Sequence, residues 1–228
     1  MEKTQVVSIS GGLGTGKTHV CDLFATIHGI PVYNADLKVK EKIVNLPEVS
    51  MQIKARFGRD SYLIKYPFVK DFFDDVPIEP TLVEYNIEKF KKLLFTDKEA
   101  LKDMNNIIQP ALLSDINIWV MAKSKIRKYV IVECATVFEN NMFYLFDTNI
   151  VVTCPLDIRI QRLTKDRKMT FEDIQNRIKN QWSDDKKLRM ADYEIINDGS
   201  NDVLQQIAQI HKDLIWNETD RGSWNLST

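Results

Sequence analysis

Gln5-Val6-Val7-Ser8-Ile9-Ser10-Gly11-Gly12-Leu13-Gly14-Thr15-Gly16-Lys17-Thr18 is the stretch on which the reading of this chain turns. Gln5–Ser10 is apolar and β-branched, of strand length, and is stopped by a glycine pair. From Lys17 to His28, Val20, Leu23, Phe24 and Ile27 recur on one face of a helix. Between strand and helix, Gly11–Thr18 matches the phosphate-loop (P-loop) pattern GxxxxGK[ST] in the context its mechanism requires. Glycines let the backbone curl until successive N–H groups converge on phosphate oxygens, and the following helix adds its unpaired N–H groups and positive dipole end. Gly12, Leu13, Gly14, Thr15 and Gly16 are the expected cradle. Lys17 has the reach for β- and γ-phosphates, and the Thr18 hydroxyl is a magnesium ligand in such loops. The alternative is a glycine-rich turn between strand and helix that binds no ligand; the strand and helix flanks favour the nucleotide site.

Outward from this motif, Ile30–Tyr33, Tyr129–Glu133, Asn149–Thr153 and Tyr193–Ile196 read as further strands. Leu37–Val44 and about Asn201–Trp216 read as helices. Strands separated by helices predict a parallel sheet of about five strands covered on both faces, a three-layer α/β P-loop fold. About Val39–Arg127 is read as mostly helical and interrupted, with Pro67, Pro77 and Pro80 in an irregular section. About Pro155–Met190 is read as basic helices. Both are expected as insertions at the sheet's ligand-binding edge. The expected division is a core of 1–38 with 128–156 and 190–220, a helical acceptor domain of 39–127, and a lid of 157–189. Arg221–Thr228 reads as a frayed tail.

The 228 residues are 44% apolar and 28% charged, with a formal net charge of -1. That balance gives no electrostatic reason to expect nucleic acid or an anionic membrane as partner. Cys21, Cys134 and Cys154 have no metal-ligand spacing and read as buried free thiols of a reducing compartment. The apolar run before the glycine loop is too short for a signal peptide, and no stretch approaches a membrane span. A cytoplasmic location is expected.

Asp36 follows the second strand, where an open parallel sheet binds its ligands. A carboxylate there suits three tasks: orienting an acceptor hydroxyl, taking its proton, or ordering magnesium. Helix capping by Asn34 or Asp36 is the competing reading. Arg159, Arg162 and Lys165 fall at three-residue spacing, as a phosphate-binding lid face would, or as a solvated surface. Glu133, at a strand end, is read either as an acid holding magnesium through water or as the partner of a backbone amide. His19, His28 and His211 show no partner spacing. Phe72, Phe73, Trp119 and Tyr144 are read as core, with an acceptor pocket as the alternative.

Taken in order, these residues resemble the dephospho-CoA kinase family over roughly residues 5 to 210. The resemblance rests on the loop and Gly29–Asp36, then Asn106–Pro110, Val137-Phe138-Glu139, Phe146-Asp147 and Arg162-Leu163. It continues through Arg177-Ile178, Gln181, Lys187, Ala191-Asp192 and Asn197-Asp198-Gly199-Ser200. It implies transfer of phosphate from ATP, with Mg²⁺, to the ribose 3′-hydroxyl of dephospho-CoA. It further implies Asp36 as base or orienting carboxylate and metal-site residue, Lys17 and Arg162 as charge stabilisers, and Asn197 and Gly199 near the adenine. The chain departs from the family pattern at Asn34, Gln109, Glu133, Ala135 and Asp166, with Arg167 beside the last. Another P-loop kinase of nucleosides, nucleotides or metabolites is the alternative enzyme, and an ATP-binding regulator without catalysis is the alternative of a different class.

Overall fold

The computed structural model describes residues 4–65, 82–123, 127–167 and 169–216. Pro67, Phe72, Phe73, Pro77, Pro80, Lys168 and the segment 221–228 lie outside the described residues. The chain divides into two units, 1–36 with 115–228, and 37–114.

The first unit is built on a five-stranded parallel sheet. Its strands are β1 (Gln5–Gly11), β2 (Val32–Asn34), β5 (Tyr129–Glu133), β6 (Thr148–Thr153) and β7 (Tyr193–Ile196), in the order β2-β5-β1-β6-β7. β1 lies at the centre, paired on one side with β5 (Ile9 opposite Glu133) and on the other with β6 (Gly11 opposite Val152). β5 is buried along its whole length, as a parallel strand covered on both faces must be.

Two helices cover one face: α1 (Lys17–His28) and α9 (Val203–Trp216). Val20, Cys21 and Phe24 of α1 and Ile207, Ile210 and Leu214 of α9 meet Val7, Ile9, Ile131, Ile150, Val152 and Ile195 from the strands. The side chains that alternate with these, Val130, Val132 and Val151, are also buried, so the central strands are covered on both faces. At roughly 25 cal/mol per Å², each such aliphatic residue adds about 1.5–3 kcal/mol of burial. The apolar face of α1 departs from expectation at its last turn. His28 stacks there on His211 of α9, with ring centroids 3.7 Å apart, and Ile27 is 51% exposed. All three cysteines are buried and free.

β1 is followed directly by the loop and α1, and β2 by α2 (Ala35–Glu41), so both turns open beyond the carboxyl edge of the sheet. α6 (Leu156–Arg167), α7 (Phe171–Lys179) and α8 (Asp184–Leu188) follow β6.

The second unit is not helical throughout. With α3 (Pro47–Phe57) and α4 (Ile87–Thr96) it carries an antiparallel pair, β3 (Tyr62–Lys65) and β4 (Leu82–Tyr85). The stretch read as an interrupted helical segment therefore contains a two-stranded ribbon, pinned by cross-strand aromatics. Tyr62 lies edge-on to Tyr85, and Tyr85 stacks on Phe90 with centroids 4.9 Å apart. This long-range aromatic pairing is invisible to local periodicity. The 26-residue helix α5 (Lys98–Lys123) follows α4, with Pro110 in its interior. No helix among the described residues is long and apolar enough to cross a membrane.

Candidate active site

The loop between β1 and α1 bends through two glycines in the left-handed region, Gly14 (φ 80) and Gly16 (φ 89). Gly16 is doubly constrained, because a Cβ there would also collide with the Asn197 amide. That amide nitrogen donates to Thr15 O at 2.8 Å, and Thr15 Oγ1 donates to Gly12 O at 3.0 Å, which closes the loop on itself. Leu13 N–H is accepted by Gln181 Oε1 at 2.8 Å.

A cleft of about 400 Å³ opens over this loop, lined by Leu13, Gly14, Gly16, Lys17, Thr18, Asn34, Asp36, Glu133, Arg162 and Gln181 among others. The predicted residues Lys17, Thr18, Asp36 and Arg162 thus share one cavity with three of the loop positions. Gly12, Thr15 and Asn197 lie buried behind the loop as its scaffold. Gly199 is exposed on the turn after β7, with open space where a Cβ would stand.

Three ionisable groups set the field in the cleft. Burial presses the Lys17 ammonium below its ordinary value of 10.5; Asp36 and Glu133 oppose that, and the Lys187 charge adds to it. Lys17 Nζ donates to Gly11 O at 2.9 Å and Gly12 O at 3.4 Å. Asp36 stands in the first turn of α2, and its Oδ2 accepts from the Ala135 N–H at 3.3 Å. Its carboxyl is raised above 3.8 by the protein atoms crowding it, against the pull of Lys17 and the Ala135 N–H. More than a third of the residue surface still reaches water, which screens part of that effect. Glu133 is 4% exposed, and its carboxyl is likewise raised by burial against the Thr18 hydrogen bond and the Lys17 charge.

Glu133 resolves a choice left open by the residues alone. Its Oε1 accepts from Thr18 Oγ1 at 2.6 Å, and its Oε2 accepts from Asn34 Nδ2 at 2.7 Å. It therefore serves side chains of the cleft rather than a backbone amide. The donor set fits Mg²⁺: a threonine hydroxyl and carboxylates are hard oxygen ligands. Among the described residues no cluster of three or more His, Cys, Asp or Glu could form an all-protein cage. Mg²⁺ is suited to such a site, since it keeps waters and takes substrate phosphate oxygens as ligands. Asn34 stands where a second carboxylate would repel Glu133, and as an amide it donates instead.

The basic face of α6 splits by burial. Arg162 is half-buried and donates to Asn197 O at 2.9 Å, at the wall of the cleft. Arg159, 6% exposed, turns inward to Asp184 at 2.9 Å and lies against Gly12, where an added Cβ would stand 2.9 Å from its Nη1. Lys165 is exposed. Lys187 is fully buried, with Nζ 2.9 Å from Glu139 Oε1, an oxygen that also accepts the Trp182 N–H at 2.9 Å. Gln181 and the Lys187–Glu139 pair are the contributors that residue patterns did not single out, whereas Arg159, read with Arg162 as one basic face, turns instead to Asp184. A hint lay in the way Glu139, Gln181 and Lys187 all fall within matched segments. Asp147, also in one, accepts the Val6 N–H at 2.8 Å and pins the start of β1. Trp119 lies edge-on to Tyr33, and Tyr144 is 71% exposed rather than core.

A family model described as dephospho-CoA kinase matches residues 5–202. A dephospho-CoA kinase of gamma-proteobacterium EBAC31A08 is 27% identical over 207 residues, covering 90% of this chain and 95% of that one. One from Bacteroides fragilis is 26% identical over 204 residues, 90% of each chain. An uncharacterised Caenorhabditis elegans protein is 28% identical over 218 residues, 91% of this chain and 83% of the other. Among solved structures, one from Thermus thermophilus covers 92% of this chain and 97% of its own, with a TM-score of 0.74 at 18% identity. A dephospho-CoA kinase from Campylobacter jejuni has a TM-score of 0.51 at 19% identity, with coverages of 92% and 97%. At these identities the solved structures speak to the fold alone.

Proposed function

The chain belongs to the dephospho-CoA kinase family, and from that premise we propose that its cleft transfers the γ-phosphoryl group of ATP to the ribose 3′-hydroxyl of dephospho-CoA, yielding CoA and ADP. The observation that carries the reading is the meeting of Lys17, Thr18, Asp36, Glu133 and Arg162 in a single cavity over the loop. A loop amide cradle and two cations face the triphosphate side, and a carboxylate stands opposite Lys17, where an acceptor hydroxyl must arrive.

Asp36 accepts the proton of the 3′-hydroxyl as its oxygen bonds to the γ-phosphorus, and the bond to the β–γ bridging oxygen breaks with its electrons going to ADP. Lys17 and Arg162 hold the equatorial and bridging oxygens, where charge accumulates. Thr18, Glu133 and Asp36 are the residues that would hold Mg²⁺, and the ion would neutralise phosphate charge when bound. The raised carboxyl of Asp36 suits it for this, because a base is most effective when its pKa moves toward working pH. Residues 39–127 serve as the acceptor domain, 157–189 as a lid that excludes water, and the turn carrying Asn197 and Gly199 as the adenine-side wall.

The test is ADP release by the purified protein with ATP and magnesium, with dephospho-CoA set against a panel of nucleoside monophosphates. Release that depends on dephospho-CoA, and that Lys17→Ala abolishes without unfolding the protein, is the expected outcome. Preference for a nucleoside monophosphate would replace the substrate assignment. Nucleotide binding with no acceptor-dependent release would favour a regulator.

A further inference from the structure

Gln181 lies in the turn between α7 and α8, outside the glycine motif, yet it holds one of the loop's own backbone groups. Its Oε1 accepts the Leu13 N–H at 2.8 Å. At the other end of the loop Asn197 donates to Thr15 O at the same distance. The apex of the loop is thus bracketed by two side-chain amides, one accepting and one donating, both from segments that follow β6 in the chain.

Gln181 is itself fixed. Its backbone N–H donates to Ile178 O at 3.0 Å, which ties it to the last turn of α7. The next N–H, of Trp182, donates to Glu139 Oε1, the oxygen that pairs with the fully buried Lys187. Two residues further on, Asp184 holds Arg159 against Gly12. The segment 181–187 is therefore anchored by two ion pairs, touches the loop at Leu13 and, through Arg159, backs it at Gly12. A glycine loop has many accessible backbone states, and a hydrogen bond from a fixed post removes most of them before a ligand arrives.

Resting on the kinase reading above, the geometry points to Gln181 as a positioning residue: its side-chain carbonyl holds the P-loop apex in phosphate-binding curvature without touching the nucleotide. The Leu13 N–H is committed to Gln181 and the Thr15 N–H to Gly12 O at 3.3 Å, which leaves phosphate to the other amides of the loop.

The test is calorimetric binding of ADP and of a non-hydrolysable ATP analogue to Gln181→Met and Gln181→Glu, which needs no acceptor. Methionine matches the length of glutamine and lacks the acceptor. It should weaken both nucleotides by the same factor, about 3- to 10-fold, the range expected for one net hydrogen bond. It should also speed hydrogen exchange at the Leu13 amide and leave kcat at saturating ATP within about twofold, as lost ground-state positioning would. Glutamate keeps the acceptor. It should preserve slow exchange at Leu13 while weakening nucleotides through its charge, an effect that added salt reduces. Unchanged binding by Gln181→Met would overturn the assignment. A loss confined to the ATP analogue would show direct contact with the γ-phosphate instead. Tighter binding would show that Gln181 competes with phosphate for the Leu13 N–H. Rapid exchange at Leu13 in Gln181→Glu would equally refute it. If the wild type binds nucleotide but leaves dephospho-CoA unphosphorylated, the substrate reading fails and the Gln181 assignment stands or falls on binding alone. A wild type that binds no nucleotide overturns both.

Discussion

Asp36→Asn separates chemistry from architecture more cleanly than any other change in the cleft. Among the described residues its carboxylate accepts one hydrogen bond, from the Ala135 N–H, at a long 3.3 Å. An asparagine oxygen can accept that bond as well. With the residue exposed to water, the cost to stability should stay under about 1 kcal/mol, or roughly 2–4 °C in Tm for a chain of this size. The rate should respond quite differently. Without a carboxylate the acceptor hydroxyl has no positioned base, and kcat should fall roughly 10²–10⁴-fold, about 2.7–5.5 kcal/mol of barrier. Affinity for ATP should be unchanged or improved, because a negative charge near the triphosphate has gone. The wild type carries a further signature. Asp36 must be ionised to act, and its carboxyl is raised above 3.8, so kcat/KM should climb with pH through a limb above the ordinary aspartate range. That limb should vanish in the variant. ADP release across pH, with Tm measured in parallel, tests all three. A rate near wild type would refute the base assignment. Loss of rate accompanied by a large fall in Tm would assign Asp36 to architecture instead.

Three further outcomes follow from other parts of the structure. Lys187→Met leaves Glu139 buried without its cation and should cost about 3–5 kcal/mol in urea denaturation, with partial recovery in Lys187→Met/Glu139→Leu; a loss below about 1 kcal/mol would contradict the ion-pair account. His211 accepts or donates at 2.7 Å to the Tyr129 hydroxyl, and burial and the neighbouring His28 charge hold its pKa below 6.5. The folded state then binds protons less readily than the unfolded one, so stability is full above about 6.5 and declines as pH falls below it. His211→Gln should flatten the drop in Tm between pH 7 and 5.5, and an equal drop in both proteins would exclude His211 as its source. Residues 158–167 and 169–190 should gain protection from hydrogen exchange on binding a non-hydrolysable ATP analogue, as a closing lid requires. Unchanged exchange with nucleotide demonstrably bound would make this region a fixed surface.

Much of the molecule is written locally. The apolar runs of β1, β5, β6 and β7 and the glycine loop before α1 define a parallel α/β fold and its phosphate end. They do so because strand burial and loop curvature depend on residues adjacent in the chain. That Lys17, Thr18 and Asp36 share a cleft was legible for the same reason, since each opens a helix that follows a strand of the sheet. The rest required tertiary structure. Whether Glu133 faces the cleft depends on Thr18 and Asn34, side chains 115 and 99 residues away. Arg159 and Arg162, indistinguishable by spacing, part company because Arg159 pairs with an acid, Asp184, while Arg162 donates to Asn197 O. The β3–β4 ribbon forms through pairing of aromatics across a connection, which helical periodicity cannot register. Gln181 reaches Leu13 across 168 residues. A side-chain amide is neutral and adaptable, so nothing in its neighbours along the chain announces which backbone group it will hold. The sequence by itself determined where the glycine loop lies between strand and helix; only the tertiary structure decided which distant side chains bond to it.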